Sequence, residues 1–179
     1  MRLRIISLAQ RPSSSLLEAI RAQLGLEVIA ERLSFSLPES AYDRARGQYD
    51  AAALLELLRA LRSQGELLLL LLQDDIYAGG LNYCFGLASE GIAVVSTRRL
   101  DPSYYGEAAN PSLLEARLLK EVVHEAGHML GLGHCSARGC IMRFSRHVRD
   151  TDEKGPGFCP ACRRRLQLLL HEGRKGHER

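Results

Sequence analysis

Three histidines and one glutamate are spaced for metal chemistry in His124-Glu125-Ala126-Gly127-His128-Met129-Leu130-Gly131-Leu132-Gly133-His134. On a helix, residues four apart lie one turn apart on the same face, so His124 and His128 can reach one metal ion together. Glu125 follows the first of them directly. Its carboxylate then lies near the metal without pointing at it, which suits holding and deprotonating a metal-bound water. Gly131 permits a sharp left-handed turn that ends the helix, so His134 can swing back from outside it as a third ligand. Three histidines with one open position form the zinc arrangement of a catalytic site, not of a closed structural one. At this chain's usage of 6 His and 16 Gly, chance writes the five fixed positions into about 4 in 100,000 such chains. Accident is therefore set aside, and the remaining alternative is a zinc site that has lost activity.

Met142 follows eight residues after His134. A thioether beneath three imidazoles gives a zinc site an apolar floor, as in the methionine turn that ends the extended zincin motif; the plainer reading is a core methionine after Ile141. A second constellation is made of cysteines. Cys135 and Cys140 are spaced C-x4-C, and Cys159-Pro160-Ala161-Cys162 is C-x2-C. The two halves together can close a tetrahedral four-thiolate zinc site, which would pin a segment too poor in apolar residues to fold unaided. Five cysteines without a secretory segment argue against a disulfide scaffold. Cys84, the fifth, reads as a small buried hydrophobe, though a latency role as an inhibitory cysteine stays open.

These residues need a scaffold. The chain has 179 residues, 46% of them hydrophobic and 25% charged, enough for one core and one domain. The alternation of strand and helix signals predicts an α/β fold. Arg2 to Leu8 reads as a strand, Ser13 to Leu24 as a helix stopped by Gly25, and Leu26 to Ser36 as β again. Tyr49 to Gln64 has apolar residues at helical spacing and closes at Gly65. Glu66 to Gln73 contains six leucines and predicts a buried central strand. Leu81 to Phe85 and Ile92 to Thr97 complete the strands. A long helix should start near Asn110-Pro111, with Ser112 and Glu115 as an alternative capping box, and end near Leu130; a short one should cover Ala161 to His171. Within the single domain, residues 1–131 read as an upper α/β part with the active-site helix, and residues 132–179 as a lower, cysteine-rich zinc subdomain.

Twenty-four basic and 21 acidic residues give a net charge of +3, too small to announce a nucleic-acid or membrane partner. The total conceals an asymmetry, since residues 1–119 hold 12 basic and 14 acidic side chains, and the remainder 12 and 7. Arg163-Arg164-Arg165, Arg174, Lys175 and Arg179 lend some support to a competing class, a zinc-ribbon-like nucleic-acid or protein-binding module. Such runs are usually solvated helix faces, and aromatics for base stacking are few, so nucleic acid is not the expected partner. The short apolar stretch from Ile5 to Ala9 ends at Gln10 and Arg11, and the leucine run is far short of a bilayer span. A cytoplasmic, monomeric protein without a membrane partner is the expectation.

The run from His124 to His134 continuing into Cys135, with Cys140, Met142, Cys159 and Cys162, resembles the archaemetzincins of the metzincin clan of zinc metallopeptidases. Weaker likeness extends through Gly80-Leu81-Asn82-Tyr83-Cys84-Phe85-Gly86 and Val94-Val95-Ser96. The spacing between Met142 and Cys159 departs by about a residue from the commonest pattern, and no tyrosine closely follows Met142 as an extra ligand. The resemblance implies a compact metzincin-like fold, with a mixed, mostly parallel twisted sheet and helices above a cleft and a cysteine-bound zinc below. It implies two zinc ions, one catalytic and one structural, and a peptide or protein substrate that adds as a strand to an antiparallel edge strand, for which Leu81 to Phe85 is the candidate. A second oxyanion donor is common in zincins. Tyr104, Tyr105 and His147 are candidates, none singled out by spacing. Substrate preference, and endopeptidase against aminopeptidase action, are not legible.

Overall fold

The computed structural model describes residues 1–8 and 10–175. Ala9 and Arg179 from the segments above lie outside the described residues, as do the side chains of Arg174 and Lys175. The strands are β1 (Arg2–Ser7), β2 (Glu27–Arg32), β3 (Tyr42–Asp43), β4 (Gln48–Asp50), β5 (Glu66–Leu72), β6 (Ile76–Tyr77), β7 (Gly86–Ser89) and β8 (Ile92–Ser96). The α-helices are α1 (Ser14–Leu24), α2 (Ala51–Leu61), α3 (Pro111–Met129), α4 (Val148–Glu153) and α5 (Pro160–Lys175).

The leucine strand β5 organises the sheet, whose order is β2-β1-β5-β8-β7. Alternate side chains of a strand point to opposite faces, and here both faces are covered. Leu67, Leu69 and Leu71 join the core formed with Leu16 and Ile20 of α1 and Val122, Val123 and Ala126 of α3. Leu68, Leu70 and Leu72 join Leu54, Leu55 and Leu58 of α2. Each buried leucine contributes about 1.5–3 kcal/mol, so the unbroken run supports helices on both sides. Within this sheet the β1–β2, β1–β5 and β5–β8 pairs are parallel, and the edge pair β7–β8 is antiparallel. This is the expected mixed, mostly parallel α/β fold.

An antiparallel edge strand exists, but it is not Leu81–Phe85. Residues 81–84 form a loop, tied by Leu81 N–H to the Ala78 carbonyl at 3.1 Å and by Cys84 N–H to the Ile76 carbonyl at 3.0 Å. The Phe85 carbonyl accepts from Ser96 at the start of the ladder, and Gly86–Ser89 forms the strand. Alternating Leu81, Tyr83 and Phe85 mimicked a strand, whereas Gly-Leu-Ala-Ser has weak intrinsic preference and is made a strand by pairing with β8. Other boundaries move less. The helix expected over Tyr49–Gln64 begins at Ala51, because Asp50 caps it and Gln48–Asp50 is strand. The small sheet β3-β4-β6 and the six-residue α4 were not anticipated. Among the described residues, no helix is long and apolar enough to cross a membrane.

Candidate metal centres and active-site cleft

Helix α3 starts where Asn110 accepts a hydrogen bond from Leu113 N–H at 3.0 Å, with Pro111 at its first position. Nineteen residues later it stops. Gly131 takes a left-handed φ of 94°, its N–H bonding the His128 carbonyl and that of Leu132 the Gly127 carbonyl, both at 2.9 Å. That reversal returns His134 to the face bearing His124 and His128. The His134 ring lies 5.4 Å from His124 and 4.7 Å from His128, and one nitrogen from each of the three rings falls within 4.8 Å of the others.

The backbone selects which nitrogens face inward. His124 Nδ1 meets the Ile141 carbonyl, and His128 Nδ1 the Leu132 carbonyl, each at 2.8 Å. A carbonyl only accepts, so each Nδ1 carries the proton and each Nε2 presents a lone pair. Those two Nε2 atoms are 3.1 Å apart. Two lone pairs that close repel unless a cation lies between them, and the edge of a tetrahedral zinc site with bonds of about 2.05 Å is roughly 3.3 Å. Burial drives the His124 imidazolium down to about 3 and lowers those of His128 and His134. The rings are therefore neutral and ready to ligate. The donor set fits zinc.

Met142 is fully buried and packs against α3 at Gly127. A Cβ at Gly127 would stand 2.5 Å from Met142 Sδ, so the glycine in the middle of the motif is required by the close approach of Met142. Glu125 is buried beside the histidines and lies under the first residue of β7. A Cβ at Gly86 would come within 2.7 Å of both Glu125 Cγ and Oε1. Burial pushes the Glu125 carboxyl well above its ordinary range; the charge of Glu121 adds to this, and Lys154 partly offsets it. The result is a carboxylate with raised proton affinity on the floor of a cleft of about 940 Å³ that β7 overhangs.

Glu121 lies one turn before Glu125, and the Lys154 ammonium meets its Oε1 at 2.8 Å with both side chains almost wholly buried. Thr151 Oγ1 donates to the same oxygen at 3.1 Å. Burial raises the Glu121 carboxyl, but the Lys154 ammonium and the Thr151 hydrogen bond outweigh it, and the group is held below its usual range. Helical spacing could have revealed Glu121, which is three residues from His124; nothing in the sequence marked Lys154, and Gly86 appeared only at the end of a stretch of weaker family likeness.

The four cysteines converge below, three from loops and Cys162 from the first turn of α5. Their sulfurs lie within 4.8 Å of one another, and Cys135 and Cys159 are 3.9 Å apart, unbonded. A tetrahedral zinc with Zn–S bonds of about 2.3 Å has edges of roughly 3.8 Å. Cys140 Sγ accepts from Cys159 N–H at 3.4 Å. Backbone hydrogen bonding from Cys162 brings the Cys159 thiol down to about 7, while burial raises Cys140 and Cys162. Cys135 N–H donates to the Met142 carbonyl at 3.0 Å, which joins the cysteine cluster to Met142.

The remaining candidates separate. Tyr105 donates to the Arg99 carbonyl and Tyr104 packs under Arg98 and Arg99; neither lines the cleft. His147 caps α4 and lies 3.4 Å from the Tyr83 hydroxyl, and it is Tyr83 that lines the cleft. Cys84 lines it too, half-buried, with its thiol pushed up to about 12 by burial. Arg163 of the basic run is committed to Gln23, bonding its carbonyl and, at 2.8 Å, its side-chain oxygen.

A sequence profile of Peptidase family M54 matches residues 17–168. The archaemetzincin of Methanopyrus kandleri is 43% identical over 159 residues, covering 87% of this chain and 86% of that one. The chain belongs to peptidase family M54, the archaemetzincins. Among solved members of the family, the Methanopyrus kandleri archaemetzincin superimposes with a TM-score of 0.83 at 39% identity, covering 96% of each chain. A zinc-dependent peptidase from Methanocorpusculum labreanum gives 0.85 at 31% identity over 92% of this chain and 99% of that one. The mixed sheet and active-site helix of the archaemetzincins are thus the frame that holds both clusters in this chain.

Proposed function

We propose that this chain hydrolyses peptide bonds with a zinc ion on His124, His128 and His134 and with Glu125 as general base. The observation that carries the reading is the pair of unprotonated His124 and His128 nitrogens facing each other at 3.1 Å beside the buried Glu125 carboxylate. Zinc in such a site supplies Lewis acidity and brings the pKa of its water toward about 7. Glu125, confined between α3 and Gly86, takes the proton from the attacking water and passes it to the leaving amine. The carbonyls of Ile141 and Leu132 keep His124 and His128 in the ligating tautomer. Peptide or protein substrate lies along the free edge of β7, where main-chain hydrogen bonds hold it and cleft side chains choose its residues.

Cys135, Cys140, Cys159 and Cys162 hold the second, structural zinc. With it, residues 132–179 behave as the lower, metal-dependent part of one catalytic domain, whose upper part is residues 1–131. Met142 is the floor that couples the two. Thiolates kept unpaired fit a reducing, cytoplasmic setting, and the chain acts as a monomer.

Metal analysis of the purified chain together with cleavage of a diverse peptide library tests the assignment. Two zinc ions per chain and library cleavage are expected. Two zinc ions with no cleavage would favour a noncatalytic zinc-binding protein, and salt-dependent binding of a generic duplex would favour the nucleic-acid alternative.

A further inference from the structure

We propose that Arg146 is a specificity-determining residue of the cleft, receiving a carboxylate of the peptide on the C-terminal side of the bond to be cut. The inference rests on the peptidase reading and names the substrate class for it: acidic peptides, or peptides presenting a free C-terminus.

Among the described residues Arg146 is the one lysine or arginine that lines the cleft. Its backbone is fixed at both ends. The N–H donates to Asp150 Oδ2 at 2.8 Å, and the carbonyl accepts from the Tyr83 hydroxyl at 2.8 Å. Its guanidinium, in contrast, is exposed and has no hydrogen-bond or ion-pair partner among the described residues. Neighbouring cations are committed, Arg143 to Glu153, Arg99 to Asp75 and Lys154 to Glu121. The preceding residue, Ser145, also lines the cleft, with its Oγ turned away from solvent. Before it, Phe144 is exposed and sets its ring 5.1 Å from that of His134. Phe144 and Arg146 therefore offer the cleft an apolar ring and an unpaired cation along one wall. A carboxylate suits that cation, since a guanidinium fork grips both of its oxygens.

The direction follows from β7. Arg146 is bonded to Tyr83, which precedes that strand, so it stands at the end where β7 begins. A peptide pairing antiparallel to β7 has its C-terminal half there. The exposed, unpaired acid of the cleft, Glu90, follows the other end of β7, about 13 Å from Gly86 at strand rise. It would not repel a carboxylate held at Arg146.

Matched peptides with Glu or Gln at each position, and with free or amidated C-termini, separate side-chain from terminal carboxylates. With the zinc-loaded chain, the acidic member should be cut about tenfold faster at one position C-terminal to the cut, through KM. Arg146→Ala should treat the two members alike, and Arg146→Glu should favour Lys there instead. Anisotropy of the same peptides on zinc-loaded Glu125→Ala protein should show the same preference in Kd. Preferential binding without any cleavage by the wild type would refute the peptidase reading and leave the role of Arg146 standing. Cleavage or binding indifferent to the carboxylate, or a preference that survives Arg146→Ala, would overturn the assignment.

Discussion

His124 and His128 ride on a nineteen-residue helix whose other side is buried against the leucine sheet, whereas Cys135, Cys140 and Cys159 sit on turns and only Cys162 lies within a helix. The histidine cluster is oriented by hydrogen bonds that exist without any ion, Ile141 and Leu132 holding the rings in place. Cysteine sulfurs also accept backbone hydrogen bonds, Cys140 from Cys159 and Cys159 from Cys162, but of the four only Cys140 is inside the main core, and half-buried Cys135, Cys159 and Cys162 pack at its margin. Where the scaffold pays for positioning, a metal is free to do chemistry; where the scaffold is thin, the metal must itself contribute folding energy. The two sites adjoin at His134 and Cys135, so the second kind underwrites the first.

Removing one thiolate should separate the two regions most sharply. Cys159→Ala should lose one zinc and much of the roughly 10 kcal/mol that structural zinc can supply to a small site, read as a large fall in Tm. His128→Ala should also lose one zinc but shift Tm by only a few degrees, about 1 kcal/mol. Equal falls would mean that the histidine site is no better supported than the cysteine site. Next in size is the strut between the regions. Lys154→Ala leaves the Glu121 carboxylate buried and uncompensated, with an expected loss of about 3–5 kcal/mol in denaturant unfolding, while Lys154→Met with Glu121→Leu should recover most of it. If the single variant is as stable as wild type, the pair does not join α3 to the segment after Met142. Smallest in stability is Gly86→Ala, whose added methyl must push Glu125 aside. A displacement of about 1 Å is expected to cut kcat about 100-fold with two zinc ions retained, and unchanged kcat would show that the slot above Glu125 is not needed.

Both clusters were legible in the sequence because metal ligation restricts residue type and helical spacing at once, as in His124 and His128. The leucine strand was legible because burial on both faces needs an unbroken apolar run. The edge strand was misplaced by five residues, since Gly86–Ser89 becomes a strand through β8 and not through its own preference. Gly86 and Gly127 could not be valued from sequence, where a glycine that makes room for Glu125 or Met142 looks like any other. Lys154 was hidden for a related reason: a lysine is ordinarily exposed, and its partner lies 33 positions away.

On the proposed mechanism Glu125 moves the proton, while the zinc sites stand without it. Glu125→Ala should retain both zinc ions and wild-type Tm within about 1 kcal/mol, with peptide turnover reduced at least about 1,000-fold. Undiminished turnover in a variant that holds both ions would contradict it.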